Sequence, residues 1–120
     1  MNNLTDIEIG WLAGILDGED SFTALEELTH TKTGTVYINK RARIRCQMTD
    51  QDILNKLFTT TGVGTVAGPY EQHGLETQPT WTWQVSKLQD VRDIINTIYP
   101  HMSYRRQIRI DEMRLLKGWT

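Results

Sequence analysis

The sequence has only one cysteine, Cys46, and it has neither a long apolar run nor an N-terminal basic segment followed by an apolar one. A single cysteine forms no intrachain disulfide, which is typical of proteins in a reducing compartment. The missing apolar run argues against a membrane-spanning helix, and the N-terminal composition is not that of a signal peptide. We therefore expect an intracellular protein that is not secreted.

Internal repeats, low-complexity stretches and linkers are also absent, so residues 1–120 are interpreted as a single domain. The three histidines, His30, His73 and His101, lack the spacing of metal ligands. Acidic residues are missing from 28–49, although the whole chain has 15 Asp and Glu against 13 Lys and Arg. That total argues against a dedicated nucleic-acid binder.

The distribution of the basic residues favours the opposite conclusion. Five lie within the acid-free segment and three more lie near the C-terminus: Lys32, Lys40, Arg41, Arg43, Arg45, Arg105, Arg106 and Arg109. A molecule with one basic face binds polyanions even when its total charge is mildly negative. Charge alone does not distinguish such a face from an ordinary solvated surface.

Local signals predict an α+β fold. Thr5 and Glu8 form a capping box, so a helix begins there and runs to about Asp17, where Gly18 ends it. The further predicted elements are strands at 21–30 and 35–47, a helix capped within 49–52, strands at 62–67 and 80–85, a helix capped within 86–89 and stopped by Pro100, and a final helix at 104–117. The order αββαββα plus a terminal helix predicts a four-stranded antiparallel sheet with helices on one face and an open polar face.

Alternation of side chains distinguishes the two faces of that sheet. The apolar set of the second and fourth strands is Ala42, Ile44, Cys46, Trp81, Trp83 and Val85, and the polar set is Arg41, Arg43, Arg45, Gln47, Thr80, Thr82 and Gln84. Because the two tryptophans alternate with polar residues, we interpret them as core residues rather than as stacking platforms for bases.

The first predicted helix contains a stripe of small residues. Gly10, Ala13, Gly14 and Asp17 are spaced i, i+3, i+4 and i+7, so they share one face. Glycine inside a helix costs about 1 kcal/mol relative to alanine, and close approach of another helix is a physical reason to keep it. That second helix belongs either to the same domain or to a second subunit related by a two-fold axis.

An acidic pair, Glu19 and Asp20, follows Gly18 at the end of this helix. Acidic groups are unfavourable at the negative end of the helix dipole, and a bound cation would relieve this. If two such helices meet side by side, their carboxylates form an oxygen-rich site of the kind that Mg²⁺ prefers, suited to phosphodiester hydrolysis. The alternative is an exposed acidic turn.

The run Leu12-Ala13-Gly14-Ile15-Leu16-Asp17-Gly18-Glu19-Asp20, continued by Ser21-Phe22, resembles the nine-residue motif of the LAGLIDADG homing endonucleases. The element order, Met48-Thr49-Asp50, Gly62-Val63-Gly64, the tryptophan-bearing fourth strand and the basic segment after Pro100 agree with that family. The resemblance covers nearly the whole chain. One position departs from the pattern, since the family usually has glycine where this chain has Asp20. Asp20 is either a supporting carboxylate or a source of repulsion that weakens activity.

The resemblance implies a site-specific double-strand DNA endonuclease. A single copy of the motif implies a homodimer that cuts a pseudo-palindromic DNA target, with Gly10, Ala13, Gly14 and Asp17 at the dimer interface. It further implies that Glu19 and the Gly18 carbonyl bind Mg²⁺, with Mn²⁺ as a substitute.

The resemblance also implies roles around that metal. Gln47 orients water, with Cys46 as the alternative alignment, and Arg105 stabilises charge on the phosphate, with Arg106 as its alternative. The implied DNA contacts lie on the open sheet face and its hairpin: Arg41, Arg43, Arg45, Lys32, Lys40, Tyr37, Asn39, Thr82 and Gln84, with Ser21, Thr23 and Thr80 as additional polar candidates.

Two other functions remain open from the sequence. A non-cleaving nucleic-acid binder of the same fold, such as an RNA maturase or a DNA-binding regulator, would tolerate Asp20 more readily than a nuclease. An unrelated small interaction domain would leave the glycine stripe unexplained. The expected location of an intron-type endonuclease is with host DNA, in a cytoplasm or an organelle matrix.

Overall fold

A computed structural model describes residues 1–18, 21–30, 32–71 and 78–119, and within 24–30 and 37–40 it describes the backbone alone. The elements are α1 (Asp6–Gly18), β1 (Phe22–His30), β2 (Val36–Met48), α2 (Gln51–Thr61), β3 (Thr65–Tyr70), β4 (Thr80–Val85), α3 (Leu88–Ile98), a short 3₁₀ helix (Tyr99–His101) and α4 (Tyr104–Lys117). The predicted element order and α+β class are confirmed.

The four strands form one antiparallel sheet in the order β1-β2-β4-β3. Ile44 of β2 pairs with Phe22 of β1 on one side and with Val85 of β4 on the other, so three apolar side chains line up across the sheet. All three are buried, and they form the core with buried residues of the helices, among them Leu12, Leu16, Leu54, Leu57, Ile94, Ile95, Ile98 and Ile110. The helices therefore cover one face of the sheet, as predicted.

The helix starts follow the predicted local chemistry in α1 and α2. The Thr5 backbone N–H donates to the Glu8 carboxylate at 2.9 Å, and the Glu8 N–H donates to the Thr5 hydroxyl at 3.2 Å, which completes the capping box. Asp50 caps α2 by accepting from the Asp52 N–H. The cap of α3 lies within the predicted range, at Lys87, but it has no side-chain hydrogen bond, and the Ser86 hydroxyl accepts from the Gln84 amide.

The third strand begins later than predicted and extends further. Gly62 ends α2 in the left-handed region, with φ of +72°. Gly64, with φ of +88°, lies where a Cβ would come within 2.7 Å of the Trp83 indole nitrogen. That nitrogen donates to the Val63 carbonyl at 3.0 Å, so the tryptophan is buried with its polar atom satisfied. The two glycines thus serve a helix end and a close approach, and β3 starts at Thr65.

Candidate nucleic-acid interface

The face of the sheet that the helices leave open carries the arginines of β2. Ala42, Ile44 and Cys46 are at most 3% exposed, whereas Arg41 and Arg45 are exposed and Arg43 is half-buried. The predicted alternation is therefore confirmed. We call Arg41, Arg43 and Arg45 the β2 arginines.

Polar residues of β4 and the end of β2 continue this face. Arg45 pairs with Gln84, and Gln47 pairs with Thr82. The Gln47 amide donates to the Thr80 hydroxyl at 2.8 Å, which joins the two strands at the surface. Thr82 lies among these groups but is only 5% exposed, so it is a less accessible contact than Gln84.

Two polar atoms on this face are buried without a hydrogen-bond partner in the described part of the chain. They are the Arg43 Nε and the Thr82 Oγ1. Buried polar groups in native proteins are nearly always hydrogen-bonded to protein, water or ligand. These two buried groups are therefore unsatisfied within the described part of the chain.

Other predicted contacts fall around the β1–β2 hairpin. Lys32 lies exposed in the turn. Tyr37, Asn39 and Lys40 lie in β2, with Cα partners Thr29, Glu27 and Glu26 in β1, and their side chains lie outside the described part. Thr23 pairs with Arg43 and is half-buried. Ser21 is fully buried, because it enters the sheet beside the core, so the structure does not support it as a groove contact.

The structure divides the four residues of the α1 stripe. Gly10 and Gly14 are exposed, and a Cβ added at either would meet nothing within 4 Å. Ile7, one turn before Gly10, is 85% exposed. Ala13 is only 2% exposed because it lies beside Leu12 and Leu16 on the core side, so its assignment to an interface is corrected. The uncovered side of α1 is thus formed by Ile7, Gly10 and Gly14.

Asp17 contacts the start of α4. Its Oδ1 accepts hydrogen bonds from the backbone N–H and the hydroxyl of Ser103, at 2.9 and 2.8 Å. These two bonds hold the pKa of the Asp17 carboxyl below its usual value, although burial opposes the effect; the charge of Arg106 adds a smaller contribution. Asp17 therefore connects α1 to the start of α4 within one chain, in addition to its predicted place at a subunit interface. Sequence reasoning missed Ser103, although serine before a predicted helix is a common capping signal.

Two arginines of α4 contact the same region. Arg106 donates through Nε to the Asp17 carbonyl at 3.0 Å, and Arg109 donates through Nε to the Phe22 carbonyl at 3.0 Å. Arg109 also pairs with Glu112 at 3.1 Å. Arg105 is exposed, unlike its half-buried neighbour Arg106. Arg105 and Arg106, the two alternatives for the residue that contacts the phosphate, therefore differ: Arg105 is exposed, and Arg106 is bound to the end of α1.

The predicted metal-binding residues lie partly outside the described residues. Gly18 is exposed at the C-terminal end of α1, whereas Glu19 and Asp20 are among the residues that the structure does not describe. Within the described ranges, no group of three His, Cys, Asp or Glu side chains could hold a metal ion. The exposed Gly18 carbonyl is an oxygen donor at the negative end of a helix dipole, and this fits a hard divalent cation.

None of the helices within the described ranges combines the length and the apolar character needed to cross a membrane.

No model of a known protein family matches the sequence, and no curated protein matches it. Solved structures do match the fold. The archaeal intron-encoded homing endonuclease I-Vdi141I, complexed with DNA, aligns with a TM-score of 0.61 and 13% identity over 94% of this chain and 69% of that chain. The homing endonuclease I-CvuI in complex with its target aligns with a TM-score of 0.57 and 14% identity over 92% of this chain and 66% of that chain.

The LAGLIDADG meganuclease I-CpaMI, bound to uncleaved DNA, aligns with a TM-score of 0.59 and 19% identity over 92% of this chain and 38% of that chain. The present chain therefore spans about two thirds of I-CvuI and less than half of I-CpaMI. At these identities the comparisons establish the fold, which is that of the homing endonucleases, and a fold is compatible with more than one function.

Proposed function

We propose that this chain is a site-specific double-strand DNA endonuclease of the LAGLIDADG homing type, active as a homodimer with Mg²⁺ on a pseudo-palindromic target. Structures of the same fold are described as homing endonucleases complexed with DNA, and one of them as intron-encoded. We extend this function to the present chain because it has both the open sheet face and the residues that resemble the LAGLIDADG motif.

The observation that carries DNA binding is the open face with the β2 arginines. A twisted two-stranded ribbon fits the major groove, where arginine is bidentate to guanine and the groove pattern identifies each base pair. Arg41 and Arg45 are exposed on this face, and Gln84 lies beside Arg45. These side chains are accessible to a groove placed against the sheet.

The uncovered side of α1 supports the dimer. Gly10 and Gly14 leave the backbone accessible, and the exposed Ile7 adds apolar surface beside them. Two such helices related by a two-fold axis would pack closely through the same patch on each subunit. Their C-terminal ends would then place two copies of Gly18 and Glu19 near each other.

In this proposal, the Glu19 carboxylate and the Gly18 carbonyl hold the divalent cation. Mg²⁺ supplies charge stabilisation for hydrolysis of a phosphodiester when it is bound. Gln47 orients water at the end of β2, and its amide is held by Thr80. Arg105, exposed on the first turn of α4, stabilises developing negative charge on the phosphate.

The test begins with selection of a target from a randomised DNA library, run in parallel with Mg²⁺ and with Ca²⁺. Cleaved, nearly symmetric sites in Mg²⁺ and bound, intact sites in Ca²⁺ support the proposal. Bound sites that stay intact in both metals contradict cleavage and favour a non-cleaving binder. Recovery of RNA in place of DNA would favour a maturase.

A carboxylate variant then tests the metal assignment. Glu19→Gln keeps the size of the side chain and removes its charge, so cleavage is expected to be lost while DNA affinity in Ca²⁺ is retained. Asp52→Asn is the matched control, because Asp52 is an exposed carboxylate on α2. Cleavage by Glu19→Gln at the wild-type rate would exclude Glu19 as the metal ligand.

A further inference from the structure

We propose that Ser103, Arg106 and Arg109, here called the α4 brace, are positioning residues for the reaction. They hold the end of α1 and the start of β1 at a set separation, and Glu19 lies in the sequence between these two points. The inference rests on the proposed nuclease function, since it assigns these residues to the placement of the metal-binding carboxylate.

The brace contacts both sides of the acidic pair. On the α1 side, Ser103 donates two hydrogen bonds to the Asp17 carboxylate, and Arg106 donates to the Asp17 carbonyl at 3.0 Å. On the β1 side, Arg109 donates to the Phe22 carbonyl at 3.0 Å. Arg106 and Arg109 are three residues apart on one helix, so they lie on the same side of α4. One rigid element thus fixes both attachment points.

The acceptors explain why arginine suits this role. The Asp17 carbonyl lies in the last turn of α1, where carbonyl groups have no donor within the helix. A cation is also favourable at that end of the helix dipole. Because guanidinium is planar and always charged, it holds a fixed direction that an ammonium group on a flexible stem does not. Both contacts are partly buried, which limits competition from water.

The same contacts distinguish the brace from a phosphate-binding cluster. The Nε atoms of Arg106 and Arg109 each donate to a backbone carbonyl, and Arg109 Nη1 also donates to Glu112. These donors are directed at the protein. Arg105 is exposed on the preceding position and is the group that we assign to the phosphate. The brace is therefore expected to change how the metal is held more than how DNA is held.

The experiment measures cleavage of the selected duplex by the full chain as a function of Mg²⁺ concentration. Arg106→Met and Arg109→Met keep the length of the stem and remove the donors. Replacing groups that orient metal ligands typically costs about 10–100-fold in metal affinity or activity. We expect the half-saturating Mg²⁺ concentration to rise by about tenfold or more, with DNA affinity in Ca²⁺ unchanged.

Matched variants separate positioning from folding. Arg114 lies on the same helix, but its guanidinium donates to Asn96 and contacts neither Asp17 nor Phe22 in the described hydrogen bonds. The Mg²⁺ dependence of cleavage by Arg114→Met is therefore expected to stay at the wild-type value. Arg106→Lys restores a charged donor but not the planar guanidinium, so it is expected to recover only a small part of the loss. Ser103→Ala, which removes one hydrogen bond, serves as a mild variant if a methionine variant fails to fold, and it is expected to shift the Mg²⁺ dependence in the same direction.

Two results would overturn the brace. One is a lower rate at saturating Mg²⁺ with an unchanged half-saturating concentration, which would indicate direct action on the phosphate. The other is weaker DNA binding with a shallower salt dependence, which would indicate a phosphate contact.

A second readout keeps the inference testable if the wild-type protein does not cleave DNA. Hydrogen exchange of the backbone amides at 18–22 is expected to quicken in Arg106→Met and Arg109→Met and to stay unchanged in Arg114→Met. Unchanged exchange in all three variants would exclude a positioning role for the α4 brace, whatever the cleavage activity of the variants. Absence of cleavage by wild type, with quickened exchange in the brace variants, would contradict the nuclease proposal alone.

Discussion

Arginines are clustered on two elements of this fold, β2 and α4, and they meet different surroundings in each. On β2 they project from a sheet face that no helix covers, and the Nε of Arg43 has no partner among the described residues. On α4, three of the four arginines bind the protein itself: Arg106 and Arg109 donate to backbone carbonyls, and Arg114 donates to Asn96, whereas Arg105 is exposed. The residue type is the same, but Arg106, Arg109 and Arg114 have acceptors within the fold, whereas Arg41 and Arg45 are exposed on the open sheet face.

A cluster of basic residues in a sequence therefore does not by itself identify a surface that binds nucleic acid. Both clusters predict attraction for a polyanion when only charge is considered. Hydrogen-bond partners separate them, because a guanidinium that already holds a carbonyl must lose that bond before it reaches DNA. The β2 arginines are expected to affect binding, whereas Arg106, Arg109 and Arg114 are expected to affect stability and geometry.

The largest expected effect is on DNA affinity. Arg43→Ala combined with Arg45→Ala should weaken binding of the selected target roughly 100-fold, since each arginine–base contact contributes about 1–3 kcal/mol and about 1.4 kcal/mol is tenfold. The free energy of unfolding should change by less than about 0.5 kcal/mol at the exposed Arg45, as for other surface sites. Fluorescence anisotropy and urea denaturation measure the two quantities. A fall in stability comparable to the loss of binding would break the distinction between the two regions.

The reverse pattern is expected on α4. Arg114→Ala should lower the free energy of unfolding by about 1–2 kcal/mol, because it removes a 2.8 Å hydrogen bond to Asn96 and a guanidinium 4.5 Å from the Tyr99 ring. The ion pair with Asp111, 3.7 Å long and partly exposed, adds little. DNA affinity should be unchanged. Arg92→Ala is the control: it is exposed and lies 5.9 Å from the Trp119 ring, so its loss of stability should be smaller.

A third test concerns the uncharged, exposed side of α1, where no arginine is involved. Gly14→Ala should stabilise the folded monomer by up to about 1 kcal/mol through helix propensity, because the new methyl meets nothing within 4 Å. The same methyl should weaken the dimer if α1 is the interface. Urea denaturation at low protein concentration and sedimentation velocity measure the two effects. Gly62→Ala is the contrasting variant and should destabilise, since Gly62 has a φ of +72°. An unchanged dimer constant in Gly14→Ala would remove α1 from the interface.

The smallest effect concerns the exposed carboxylate of Glu8. Hydrogen bonds from the Thr5 backbone N–H and then from its hydroxyl lower the pKa of Glu8 in the folded protein. This contribution to stability is present above the ordinary pKa of a glutamate and is lost as pH falls through the lower folded-state value. Wild type should therefore exceed Glu8→Gln in thermal stability at pH 6, and the difference should shrink at acidic pH. A difference independent of pH would contradict the capping assignment.

The parts of the fold predicted from the sequence are those determined by near neighbours. The Thr5–Glu8 capping box spans four residues, and the alternation of β2 is a period-two pattern, so both are present in the local sequence. The start of β3 was predicted too early because two glycines suggested a strand entry. In the structure they serve the end of α2 and the approach of Trp83, and both lie near distant residues, since a Cβ at Gly62 would come within 2.7 Å of the Asn2 side chain.

The candidate site was less predictable because its contacts cross the chain. A helical wheel places Ala13 with Gly10 and Gly14, but it equally places it next to Leu16, and tertiary packing decides between these neighbours. Asp17 was assigned to a subunit interface, whereas its carboxylate binds Ser103, 86 residues away. No local pattern specifies that pairing. The roles of Glu19, Gln47 and Arg105 stay predictions that the cleavage experiments test.

The Asp17–Ser103 contact also sets an order of assembly during synthesis. All four strands lie before residue 86, so the sheet can form while α4 is still inside the ribosome. During that interval the end of α1 has no brace, and closing a loop of 86 residues carries an entropic cost that local contacts do not have. A chain that stops before residue 103 would contain all four strands without the helix that contacts Asp17 and Phe22. Translation would therefore produce the sheet first and the contacts on either side of the acidic pair last.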